Sequence, residues 1–293
     1  MQGTEHSQSH PVCRLCKQGT EEAGRLLKSH VIPRFILLKS KDRGRALEFD
    51  RSAKRFSIGQ TDWKEELMCE SCEARLKYFD DIINDVFFLR RRSKLIFERR
   101  HHIAVAAVSD DVALALVSVF WRAVISDHEA FSWAVLPSYM EEAMRSWILD
   151  KRLDPRWGNL IEIRSQFLLL PGSDSESADV LIRPFVRTKP KSFEFVFICG
   201  GYCWTFVIPP EQTVQSPGRG DGRMRPGSRT LRIGKLPMLE VPELREAVKD
   251  MLSTPMPSHI RTALEEMNAR AVRRKRTNAS SKALVSRRNF AGY

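Results

Sequence analysis

Nothing in this sequence is long and apolar enough to cross a bilayer. The longest apolar run, Val112 to Trp121, is closed at once by Arg122, well short of the ~20 residues a spanning helix needs. The first residues, MQGTEHSQSH, are polar and lack the apolar stretch of an export signal. A Gly-rich phosphate loop, a nucleophile elbow and internal repeats are all missing, which leaves nucleotide-cradling and esterase-type chemistry without a carrier. Cysteine is scarce, with six in 293 residues. Without an export signal those thiols are expected to be reduced, so paired CxxC motifs read as metal ligands rather than disulfides. Together these absences describe a soluble, cytoplasmic protein with no membrane partner.

Acidic residues are also unevenly missing. The formal charge is +12, and from Met267 to Tyr293 there are eight basic residues and no acidic one, so 8 of the 12 net charges sit in that stretch. Its densest run is Arg273-Arg274-Lys275-Arg276. A second cluster, Arg90, Arg91, Arg92 and Lys94, lies inside the chain. Such clusters favour polyanions and would bind nucleic acid with a salt-dependent affinity. Neither is interleaved with aromatics, as a single-strand stacking platform would be, so duplex or structured DNA is the expected form.

The patterning predicts an α+β protein. Residues 1–105 hold both CxxC pairs and run on into a basic helix; 106–266 form a helical and sheet region of unassigned role; 267–293 form a basic, disordered tail. Ser109-Asp110-Asp111 reads as an N-cap for VALALVSVFWRAVI. Met140, Ala143, Met144, Trp147 and Ile148 give an i, i+3/i+4 stripe for a helix from Pro137 to about Leu153. The runs LIEIRSQFLLL, ADVLIRPFVR, FEFVFICGGYCWTFVIPP and LRIGKLPML are β-branched and aromatic, and predict a mostly antiparallel sheet able to dock a protein partner. Gly200-Gly201 marks a hairpin turn between buried Cys199 and Cys203. Further helices are expected over 242–252 and 257–271, and Asp127-His128-Glu129 reads as a helix end. Phe120, Trp121 and Trp204 read as core, with Arg122 either paired or reaching for the surface.

The chemistry-bearing pattern is Cys13-x-x-Cys16 and Cys69-x-x-Cys72, with 52 residues between the pairs. A spacing of two lets both thiolates of a pair point at one cation from a tight turn, and two pairs complete the tetrahedron that zinc prefers. After Cys72, residues Leu76, Phe79, Ile83, Val86 and Phe87 share one helical face, placing Cys72 and Glu73 in a first turn.

A first CxxC, then Ser29-His30-Val31-Ile32-Pro33, then Leu67-Met68-Cys69-x-x-Cys72-Glu73 opening a helix resembles the HNH nucleases, in the subset whose ββα metal-dependent site is built on a zinc-holding treble clef. The resemblance spans residues 13 to about 80. It implies a structural Zn2+ on Cys13, Cys16, Cys69 and Cys72. It makes His30 the general base that deprotonates water, and it places Glu73 where the family's helix supplies a ligand to a catalytic Mg2+ or Mn2+. Two departures follow. Ser29 stands where the family has an acidic metal ligand, and no asparagine precedes Asn84, although Gln60 can imitate one; Asp62, Glu65 and Glu66 are the acids able to restore the lost ligand. The implied function is a metal-dependent endonuclease hydrolysing phosphodiester bonds, as found in mobile elements and phage defence. The alternative is a catalytically inactive treble-clef module that binds DNA or docks into a larger complex.

Overall fold

The structure, a computed structural model, describes residues 12–42, 45–50, 55–59, 62–89, 94–97, 101–105, 108–173, 176–178, 180–210 and 222–253. The N-terminal part is built from α1 (Thr20–Ala23), β1 (Leu26–His30), α2 (Arg34–Lys39), β2 (Lys41–Asp42), β3 (Arg45–Asp50), β4 (Arg55–Gly59), β5 (Lys64–Cys69) and α3 (Glu70–Ile83). β1 and β5 pair antiparallel as a separate two-stranded sheet, and β5 feeds directly into α3. A wide, π-type turn (Asn84–Leu89) then ends the helix. It is followed by β6 (Lys94–Phe97) and β7 (His101–Val105).

Those two strands correct one expectation. The chain after α3 is not a long basic helix, because Leu95-Ile96-Phe97 and Ile103-Ala104-Val105 are apolar, partly β-branched triplets that favour a pleated surface. Arg90, Arg91 and Arg92 lie outside the described residues, and Lys94 opens β6. Residues 254–293, with the helix expected over 257–271 and the Arg273, Arg274, Lys275, Arg276 run, also lie outside them, as does Gln60.

The helical middle consists of α4 (Ser109–Val124) and α5 (Ser138–Asp150). α4 is buried from Val112 through Ala123, which is what a helix apolar on every side requires. Its N-terminus differs from expectation in detail. Ser109 makes no cap, and the Asp110 carboxylate instead accepts from Trp157 Nε1 at 2.9 Å and from the Gly227 amide at 3.0 Å. On α5 the expected stripe of Met140, Met144, Trp147 and Ile148 is buried.

The C-terminal part contributes five strands and a helix: β8 (Glu162–Leu169), β9 (Leu181–Thr188), β10 (Phe193–Cys199), β11 (Tyr202–Ile208), β12 (Thr230–Pro237) and α6 (Pro242–Ser253). β9, β10, β11 and β8 run antiparallel in that order, and β12 adds parallel to β8. Gly200 and Gly201 turn the β10–β11 hairpin with φ of 61° and 81°, the left-handed values that favour glycine. β7 pairs with β12 and β3 with β9, so strands from before residue 105 share one sheet with those after residue 160.

Strand alternation sorts the core into two layers. On one face Phe195, Phe197, Tyr202, Trp204 and Phe206 pack with α3, α4 and α5; Phe120 stacks on Phe206 at 4.6 Å between ring centroids. This layer is continuous with the cysteine-bearing end of the chain. On the other face Ile182, Val196, Ile198 and Leu168 are covered by Leu244 of α6.

Candidate functional site

The first knuckle is shaped by its own backbone. Cys13 accepts from the Lys17 amide at 2.9 Å and donates its own amide to Gln18 at 3.0 Å, while Lys17 turns through a left-handed φ of 63°. That loop is held to β5 by the Arg14 amide, which donates to the Leu67 carbonyl at 3.0 Å. The second knuckle needs less building. Cys69 is the last residue of β5 and Cys72 lies in the first turn of α3, where free amides and the positive end of the helix dipole favour thiolates.

The four sulfurs converge. The ligand atoms of Cys13, Cys16, Cys69 and Cys72 all lie within 4.8 Å of one another, and Cys16 Sγ is 3.9 Å from Cys69 Sγ. Sulfurs at ~2.3 Å from a tetrahedral zinc stand ~3.8 Å apart, so the set is the right size. The Cys69 amide donates to Cys13 Sγ at 3.4 Å, the kind of support a thiolate ligand takes. Burial pushes the Cys69 thiol up, but hydrogen bonds from the Ser71 hydroxyl and the Cys72 amide bring it down to about 7. Cys72 is driven the other way, by burial and by the charge of Cys13. Neighbouring sulfurs resist ionising together unless a cation sits among them, and a zinc-type ion fits this donor set.

His30 ends β1, with Lys64 opposite it in the register. The Val31 amide then donates to Trp63, and Pro33 starts α2. The side chain is 20% exposed, and Nε2 lies 2.9 Å from Asp62 Oδ1. Nε2 is buried and has this carboxylate as its charged neighbour. Burial lowers the His30 pKa; the Asp62 carboxylate opposes this, and Lys64 and Arg34 add to it. Asp62 is itself held low, chiefly by a hydrogen bond from Lys64, whose Nζ sits 2.8 Å from Oδ2.

Ser29 faces the interior. It is 2% exposed and its hydroxyl donates to the Leu27 carbonyl at 3.2 Å, so it is turned away from His30 by strand alternation. Of the three acids weighed as replacements, Glu65 is engaged by Ser126 and by the Asp127 amide, Glu66 lines an open groove with Arg25 and Lys28, and Asp62 is the one beside His30. Glu73 occupies the first turn of α3, and its Oε1 is buried without a hydrogen-bond partner. Among the described residues, the cysteines are the one group of three or more Cys, His, Asp or Glu side chains close enough to share an ion, so Glu73, His30 and Asp62 do not form another.

Other candidates resolve simply. Cys199 and Cys203 face opposite layers of the sheet, both buried, with burial pushing Cys203 up to about 11. His128 Nδ1 accepts from the Ala130 amide and starts a short 3-10 turn. Arg122 is paired rather than reaching for the surface: NH2 lies 2.6 Å from Asp80 Oδ1. No sequence period links Asp80 to Arg122, or Asp62 to His30. The only available signal was an acid of the right type about 30 residues from the histidine. No described helix is long and apolar enough to cross a membrane. No protein-family model matches this chain, and neither a curated protein nor a solved structure is detectably similar to it.

Proposed function

We propose that the chain is a zinc-scaffolded, nucleic-acid-cutting enzyme of HNH type, with His30 as general base. The observation that carries this reading is the His30–Asp62 pair at 2.9 Å, at the end of the strand that the cysteine site braces. Asp62 comes from the lead into β5 and supplies the carboxylate that Ser29 lacks. A neutral imidazole nitrogen accepts a proton from water as the water oxygen bonds to phosphorus. The bond from phosphorus to the leaving oxygen breaks, and that oxygen is protonated from solvent. A divalent ion such as Mg2+ or Mn2+ would neutralise charge on the phosphate and the leaving oxygen. Asp62, the acid beside His30, would be its one nearby protein ligand, with phosphate and water filling the remaining positions; Glu73 is not grouped with the pair.

The basic residues Arg90, Arg91, Arg92, Lys94 and the 273–276 run are assigned to the phosphate backbone of duplex DNA, and the six free thiols suit a reducing, cytoplasmic setting. A protein partner is assigned to the region of residues 106–266. A second reading, a zinc module that binds DNA or docks without cutting it, is favoured by the inward-turned Ser29 and by the lack of another three-ligand group among the described residues. Plasmid cleavage with Mg2+ or Mn2+ separates the two. His30→Ala and Asp62→Asn should each slow cutting by about 10²- to 10⁴-fold. Wild-type protein that binds DNA in a salt-sensitive way and never cuts it supports the second reading. Protein that does neither sinks both.

A further inference from the structure

Helix α4 is apolar on every side, yet its last turn carries one cation, Arg122, and only 3% of that residue is exposed. A buried guanidinium is costly unless all its donors are used, and a packed apolar side chain would serve stability as well. Its donors are used in a particular way. Nε donates to the Ser118 carbonyl at 3.2 Å on its own helix. NH2 and NH1 reach the two oxygens of Asp80 on α3, at 2.6 and 3.4 Å. NH1 also donates to the backbone carbonyl of His30 at 3.2 Å. One planar fork therefore ties α3, α4 and the end of β1 together, and the tie point on β1 is the residue whose side chain meets Asp62.

We propose that Arg122 is a positioning residue for His30: it fixes the peptide of the base, through Asp80 and the His30 carbonyl, so that the imidazole is presented at one angle. This rests on the reading of His30 as the base. It adds that the helical layer of the sheet region, and not the cysteine module alone, builds the working site. Lysine offers a point charge and cannot serve two oxygens in a plane, so the geometry calls for arginine.

The test uses the full-length, zinc-loaded protein. Arg122→Lys keeps a charge for Asp80 and gives up the fork; the double variant Arg122→Met with Asp80→Leu removes both charges, an exchange that cores commonly tolerate. Both should retain one zinc per chain and a near-wild-type melting temperature. KM for plasmid DNA should stay within about twofold while kcat falls about 10- to 100-fold, the loss expected when a reacting group is misplaced by ~1 Å. The His30 imidazole resonances, assigned by their loss in His30→Ala, should shift in both. Wild-type kcat and unshifted imidazole resonances in both variants, alongside an inactive His30→Ala, would overturn the positioning role and leave the base in place. A His30→Ala protein that cuts like wild type would remove the base itself, and this proposal with it.

Discussion

The two ends of this molecule solve the same problem with different means. The sheet between β8 and β12 buries aromatic and branched side chains on both faces, with helices α3 to α5 over one and α6 over the other. The sheet of β1 and β5 has only two strands and one following helix, and beside it stand four cysteines. A two-stranded sheet is marginal in water; here it shares the core of α3, α4 and α5, and an ion held by the four cysteines would add a cross-link. The difference teaches where each part should be vulnerable: the β1–β5 pair to loss of any ion its cysteines hold, the larger sheet to cavities.

Metal removal should have the largest effect. Structural zinc contributes roughly 10–16 kcal/mol in finger-sized units, so a chelator or Cys69→Ala with Cys72→Ala should abolish amide protection in β1 and β5. Amides of β10 and β11 should stay protected. Metal analysis that finds no stoichiometric zinc in the purified protein breaks the comparison at its root.

Phe120→Ala should come next, at about 3–5 kcal/mol in a denaturant titration, because the ring stacks on Phe206 and leaves a cavity between α4 and the sheet. That layer is continuous with the cysteine end, so zinc retention should weaken along with the sheet. Leu244→Ala tests the opposite face. A loss of about 2–4 kcal/mol with zinc content unchanged is expected, since Leu244 packs in the second layer; loss of zinc there would show that the two faces are not separable. Arg14→Ala is the smallest. Its ion pair with Asp127 is 2.9 Å long but largely exposed, so under about 1 kcal/mol should register as a melting shift of a few degrees at most.

Legibility followed range. The knuckles, the α5 stripe, the Gly200-Gly201 turn and the strands from β8 to β12 are short periods and local spacings, and each stands where its residues predicted. The chain after α3 is harder to read because its arginines and lysines suit a helix surface, while the apolar triplets beside them pair with β12 and with each other. The histidine's surroundings were half visible. His30 stands out between the knuckles, but that Asp62 rather than Glu65 or Glu66 meets it depends on how the chain enters β5 opposite β1.

What the sequence determined by itself is therefore the cysteine spacing, the helical and strand periods and the place of the histidine between two knuckles. These arise from geometry within a few residues. Only the tertiary structure decided that β3 and β7 join the far sheet, that Asp62 meets His30 and that Arg122 crosses to Asp80 and the His30 carbonyl. Such pairings link residues from 32 to 133 positions apart, as His30–Asp62 and Glu48–Leu181 show. They follow from how packed layers align, which no local pattern records.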